Sequence, residues 1–153
     1  MDLVFVRGDF DSPDVHALLA AHFEAMRATS PPDACHVLPI DRLRDPAVTF
    51  WSARERGELV GVGALKQLTR THGEIKSMRT APGALGRGVG RQVLRHIIAE
   101  AKSRGYCRLS LETGSTARFV AALSLYESEG FAPSGPFGDY QPTPFTRFFT
   151  REI

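Results

Sequence analysis

The stretch Ala81-Pro82-Gly83-Ala84-Leu85-Gly86-Arg87-Gly88-Val89-Gly90-Arg91 sets repeated glycines among two arginines. An apolar, strand-like segment precedes it and a helical pattern follows. A loop feeding a helix N-terminus offers unpaired backbone N–H groups and the positive end of the helix dipole. Glycines let such a backbone approach a phosphate without side chains in the way. Arg87 and Arg91 add guanidinium groups suited to phosphate oxygens. The loop lacks the Gly-Lys-Ser/Thr of a nucleoside-triphosphate loop. It also departs from the dinucleotide fingerprint, since Arg91 stands where that pattern wants glycine. Glu112 lies about 20 residues further on, where a ribose-binding acid would fall, so a nucleotide-binding domain is one reading to carry forward.

The elements that position this loop follow from periodicity. Leu3 to Arg7 reads as a short strand. Ser12 and Pro13 open a helix, Ser12 as its cap and Pro13 in its first turn. Val15, Leu18, Leu19, Phe23 and Met26 form its apolar stripe. Thr29 to Pro46 is proline-rich and reads as irregular, with room for one short helix. Val48 to Arg54 is a strand, and Glu55 to Glu58 a tight turn around Gly57. Leu59 to Leu65 is apolar on both faces and belongs at the centre of a sheet. Arg70 to Gly73 turns the chain into a third strand, Glu74 to Thr80. There Ile75 and Met78 are three apart, and a bulge between them would restore both to one face.

After the loop, Gly90 to Arg104 is a helix that buries Val93, Leu94, Ile97, Ile98 and Ala101, with Gly105 ending it. Cys107, Leu109 and Leu111 alternate with polar residues in the next strand, where Cys107 reads as a buried thiol. Thr116 to Glu129 is the last helix, closed by Gly130, and Thr146 to Ile153 is strand-like. The order predicts a single α/β (α+β) domain over 1–153. Its mixed, mostly antiparallel central sheet has helices on both faces and one strand-helix-strand crossover.

Composition bounds the rest. The chain has 153 residues, 42% of them hydrophobic, enough to bury about 70% of its unfolded surface. Its formal charge of +2 is too small and too evenly spread for a nucleic-acid protein. The two cysteines have no metal-site or disulfide spacing. The first residues lack a signal peptide's pattern, and no apolar run is long enough to span a membrane. A cytoplasmic protein is the expectation, with no metal, no nucleic acid and no membrane partner.

Three stretches together resemble the GNAT superfamily of N-acetyltransferases. Ser77-Met78-Arg79-Thr80-Ala81-Pro82 is similar to the end of that family's fourth strand. Gly86-Arg87-Gly88-Val89-Gly90-Arg91 resembles the heart of its Arg/Gln-x-x-Gly-x-Gly/Ala pyrophosphate loop. Ala122-Leu123-Ser124-Leu125-Tyr126-Glu127-Ser128-Glu129-Gly130-Phe131 resembles its tyrosine helix. Within the superfamily, the tail Ser134 to Tyr140 resembles a bacterial subgroup of small acetyltransferases. Two positions depart from the pattern: Leu85 replaces the usual Arg or Gln, with Arg87 the candidate to restore the charge, and Phe119 replaces a frequent Asn.

The resemblance implies acetyl-CoA as donor and a primary amine, on a small molecule or peptide, as acceptor. It implies direct attack in a ternary complex. Cofactor contacts would come from Met78, Arg79, Thr80, Gly86, Arg87, Gly88, Val89, Gly90 and Arg91. A Met78 N–H would face the thioester oxygen as an oxyanion donor. Tyr126 would protonate the leaving thiolate. A phenol near 10 and a thiol near 8.5 differ by only about 2 kcal/mol, acceptable for a general acid. Glu74, before the bulge, is the candidate base or ammonium-binding group. Direct transfer from an ammonium to an ordinary carboxylate is uphill by about 8 kcal/mol, so that role needs a raised pKa, a water relay or a purely electrostatic contribution. His36 and His72 are alternative acceptor-side contacts. Trp51, Phe137 and Tyr140 are open between pocket wall, core and dimer contact, and a homodimer is a family-based expectation. The alternative within the same fold is a non-catalytic acyl-CoA-binding or sensing domain, against which the presence of Tyr126 counts.

Overall fold

The central strand is the most apolar one, as burial on both faces requires. It is β3 (Glu58–Gln67), buried over six consecutive residues. On one side it pairs antiparallel with β2 (Val48–Glu55) through the Arg56-Gly57 turn, and β2 pairs in turn with β1 (Val4–Arg7). On the other side it pairs antiparallel with β4 (His72–Thr80). In the computed structural model, which describes residues 1–31, 38–115 and 119–153, these strands join β5 (Arg108–Gly114), β6 (Ala132–Ser134) and β7 (Thr146–Glu152). The seven-stranded order is β1-β2-β3-β4-β5-β7-β6. Only β4 and β5 run parallel, which the helical crossover between them imposes.

That crossover is α3 (Val89–Ser103). Its apolar stripe of Val89, Val93, Leu94, Ile97, Ile98 and Ala101 is fully buried on one face of the sheet. The partly buried Leu123, Leu125 and Tyr126 of α4 (Val120–Ser128) pack on the same side. The opposite face is covered by α1 (Pro13–Thr29) and α2 (Ile40–Leu43), which bury Val15, Leu18, Leu19 and Leu43 against Phe50, Val62 and Ala64. Helices thus lie on both faces, as the sequence pattern predicts.

Several local expectations change. Ser12 precedes α1, but its Oγ donates to Asp9 Oδ1 at 2.6 Å and makes no capping bond. Asp9 outcompetes the helix N–H groups because it lies close in sequence and is itself fixed by Arg54 and Ser52. On α1 the buried stripe includes His22, while Phe23 and Met26 are only half-buried. His72 and Gly73 belong to β4 and not to the turn. Cys107 is exposed. It lies in the connection before β5, so the alternation read through it extends one residue beyond the strand. Ala132–Ser134 adds an edge strand too short and proline-interrupted to be read from its own sequence.

The bulge in β4 takes the predicted form. Ala64 faces Lys76 and Val62 faces Arg79, leaving Ser77 and Met78 together opposite Gly63. Ile75 and Met78 accordingly share the α3 face. Lys76 and Arg79 oppose Ala64 and Val62 of the α1 cluster, and so fall on the other face.

Candidate active site

β4 and β5 pair only from His72 to Glu74 against Arg108 to Ser110. The bulge follows at once, and beyond it the two strands are unpaired. A cleft of about 770 Å³ opens there. One lip is β4 from Glu74 to Thr80 and the other is Leu111, Glu112 and Thr113 of β5. Tyr126 and Leu125 enter from α4, and His22 and Met26 from α1.

The glycine loop closes one end. After a single 3-10 turn at Pro82–Ala84, Leu85, Gly86, Gly88, Gly90 and Arg91 line the cleft. Gly86 and Gly88 hold left-handed backbone, with φ of +76° and +85°. A Cβ on either would meet nothing within 4 Å, so conformation, not crowding, calls for glycine there. Gly88 is the N-cap of α3 and provides no side-chain cap. The first N–H groups of this four-turn helix therefore face the cleft region without side-chain satisfaction, the arrangement that suits an anion.

The two arginines of the loop are placed differently. Arg91 lines the cleft, and its Nη1 donates to Glu129 Oε1 (2.8 Å) and Ser128 Oγ (3.0 Å). Arg95 Nε reaches the same Glu129 oxygen, and the two guanidinium groups hold that carboxyl below the usual range against the opposing effect of burial. Arg87 points elsewhere. Its Nη2 donates to Glu55 Oε1 at 2.6 Å, and it is not among the cleft-lining residues. The structure thus holds Arg87 on Glu55 and not in the cleft, while the Leu85 side chain is exposed at the rim. Val89 is buried in the core and is not among the cleft-lining residues.

At the other end Glu74 is 1% exposed and Lys76 8%. Two residues apart on a strand, they share a face. Lys76 Nζ donates to Glu74 Oε2 at 3.1 Å and to Tyr140 Oη at 2.7 Å. Tyr140 Oη donates to Glu74 Oε2 at 2.5 Å. Burial, the Glu74 charge and this bond push the Tyr140 phenol far above its ordinary value. The sequence reading does not single out Lys76, although its spacing from Glu74 is a usable signal. The Tyr140 contact spans 66 residues and has none.

Tyr126 is half-buried, its ring edge-on to Phe131 with centroids 6.1 Å apart. Burial, helped by the Glu112 carboxylate, pushes its pKa up to about 12. The phenol is thus held protonated across the physiological range. Met78, Arg79 and Thr80 all line the cleft. His72 does not. It packs against Phe137, its Nε2 lies 2.7 Å from Ser110 Oγ, and burial with Arg108 nearby lowers its pKa. His36 lies outside the described residues. Trp51 is a core residue beside His96. Among the described residues no group of three or more His, Cys, Asp or Glu side chains could hold a metal ion. No described helix is long and apolar enough to cross a membrane.

Residues 13–131 match the acetyltransferase (GNAT) family model. The chain is 51% identical to the uncharacterized N-acetyltransferase YsnE of Bacillus subtilis (strain 168), over 95% of this chain and 96% of that protein. It is 50% identical to the uncharacterized N-acetyltransferase YedL of Escherichia coli (strain K12), over 93% and 89%. A GNAT family acetyltransferase from Elizabethkingia anophelis, solved with acetyl-CoA bound, has the same fold at a TM-score of 0.74 and 21% identity, covering 99% of this chain and 98% of that one. A glycine loop at the mouth of a splayed parallel strand pair, and relatives matched over nearly their whole length, lead to one assignment: the chain belongs to the GNAT family and is an acetyl-CoA-dependent acyltransferase.

Proposed function

We propose that the chain is an N-acetyltransferase that moves the acetyl group of acetyl-CoA to a primary amine by direct attack in a ternary complex. The observation that carries this reading is the continuous cleft from the uncapped N-terminus of α3 to Tyr126, opened by the bulge at Ser77 and Met78. The backbone of Gly86 to Arg91 holds the pyrophosphate, with Arg91 the guanidinium best placed to assist. Backbone groups of Met78 and Thr80 meet the pantetheine and thioester along the lip of β4.

The amine nitrogen forms a bond to the acetyl carbon, and the carbon–sulfur bond breaks. The departing thiolate takes the Tyr126 proton, and the proton shed by the nitrogen as the amide forms passes through cleft water to the Tyr126 phenolate, restoring the phenol. With the phenol at about 12, transfer to an ordinary thiol near 8.5 is uphill by about 5 kcal/mol. The same burial destabilises the thiolate and raises its own pKa, which narrows the gap. Glu74 acts electrostatically. Its Oε2 already accepts from Lys76 and Tyr140, so it fixes these two groups at the acceptor wall and is not poised to receive a proton from the amine.

Thermal unfolding with acetyl-CoA, ATP and NAD tests the donor. A ligand at a hundredfold its Kd adds about 2.7 kcal/mol, a midpoint rise of roughly 5–10 °C for a domain of this size. The expected result is a rise with acetyl-CoA alone, followed by thiol release with members of an amine panel. A rise with NAD or ATP alone would sink the reading.

A further inference from the structure

Ser77 combines three features that no contact among the described residues explains. Its φ is +55°, a left-handed backbone that glycine adopts with less strain. Its Oγ is buried and has no hydrogen-bond partner among the described residues. It lines the cleft at the bulge, between Lys76 on one face of the sheet and Met78 on the other. The backbone strain and the unsatisfied hydroxyl both disfavour the folded state. Glycine would remove both. A residue that costs stability in two ways at the point where two strands part is the signature of a functional group.

We infer that the Ser77 hydroxyl donates a hydrogen bond to the carbonyl oxygen of the acetyl thioester, making it a catalytic residue beside the bulge backbone. The position supports this partner. Ser77 lines the cleft beyond the last paired residues of β4 and β5, and a turn about its χ1 carries the shielded Oγ to a ligand there. Tyr126, which meets the departing sulfur in the proposed reaction, lines the same cleft. As the carbonyl carbon is attacked, negative charge grows on its oxygen. A hydroxyl donor at that oxygen stabilises this charge more than it does the ground-state carbonyl. This inference rests on the acetyl-CoA reading proposed above.

The test compares wild type with Ser77→Ala, which keeps a Cβ at the strained position, and Ser77→Gly, which relaxes it. Isotope-edited infrared spectra of bound acetyl-CoA, carrying ¹³C at the acetyl carbonyl, report the hydrogen bond directly. In wild type the carbonyl band lies below its position in free acetyl-CoA, and in both variants it moves back up. Kd for acetyl-CoA rises about 2- to 12-fold in the variants, while Kd for CoA, which lacks that carbonyl, is unchanged. Without ligand, Ser77→Gly melts above wild type, so loss of folding cannot account for the change. An unmoved band, or an equal rise in both Kd values, would overturn the assignment while leaving the acetyl-CoA reading intact. Failure of wild type to bind acetyl-CoA would remove both.

Discussion

Tyr140 Oη stands 2.5 Å from Glu74 Oε2 and closes a three-membered network with Lys76, in which Glu74 and Lys76 are buried and Tyr140 is half-buried. The loop after β6 is tied to β4 by this network and by the packing of Phe137 against His72. Tyr140→Phe removes two hydrogen bonds to charged groups but leaves the Lys76–Glu74 pair, so it should cost about 1.5–3 kcal/mol. Glu74→Gln leaves the Lys76 ammonium buried without its counter-charge and should cost more, about 3–5 kcal/mol. The double variant Glu74→Gln/Lys76→Met should recover part of that loss. Urea unfolding of the four proteins checks the order, and a Glu74→Gln variant milder than Tyr140→Phe would contradict it.

His96 makes stability depend on pH. Its ring stacks on Phe5 with centroids 3.9 Å apart and meets the edge of Trp51 at 5.1 Å. Its Nε2 is buried without a partner among the described residues. Burial lowers its pKa from 6.5, only partly opposed by Glu100. The unfolded chain therefore binds this proton more readily than the folded one. Stability is fully present above pH 6.5 and falls as the pH drops below it, until the folded imidazole itself titrates. The slope is bounded by one proton, about 1.4 kcal/mol per pH unit. His72 titrates in the same direction, so His96→Phe should remove only part of the slope. Unfolding free energies measured between pH 8 and pH 5 would show it.

What the sequence made legible was set by periodicity and by local chemistry. The three-residue spacing of Ile75 and Met78 is meaningful because a strand alternates strictly, and the bulge is its only economical resolution. The stripe on α3 and the glycines before it likewise carry their own geometry. What stayed hidden depends on partners distant in sequence. Nothing near Arg87 announces that Glu55 will hold it, and nothing near Glu74 announces Tyr140. Ser77 lies inside the strand motif from Ser77 to Pro82, but what sets it apart is a backbone angle and a hydroxyl without a partner among the described residues, neither of which has a sequence signal.

Gly63 is where the fold and the cleft are coupled. A Cβ there would stand 2.7 Å from Val93 Cγ1 and 3.0 Å from Ile97 Cδ1, and it faces the bulge. Gly63→Ala must push α3 away from the sheet, with an overpacking cost of about 1–3 kcal/mol. Because the start of α3 carries the glycine loop, acetyl-CoA binding should weaken along with stability. Adding Val93→Ala relieves the shortest contact and should return part of both. Calorimetric titration and thermal melts of the single and double variants test this, and a Gly63→Ala variant with unchanged binding would break the link.

Arg91 and Arg87, four residues apart, should have opposite weights in cofactor binding. Arg91 lines the cleft, and its pairing with Glu129 at the α4 end holds the guanidinium beside the loop. Arg87 is committed to Glu55 on β2 and faces away. A hydrogen bond to a charged group contributes about 1.5–3 kcal/mol, so Arg91→Ala should raise Kd for acetyl-CoA about 10- to 150-fold. The loss should shrink as salt is added, because the contact is between guanidinium and phosphate. Arg87→Ala should leave Kd within about twofold, since an exposed ion pair such as Arg87–Glu55 contributes little. Titrations at low and high salt decide between the two arginines. A large effect at Arg87 would mean that it leaves Glu55 when the cofactor binds.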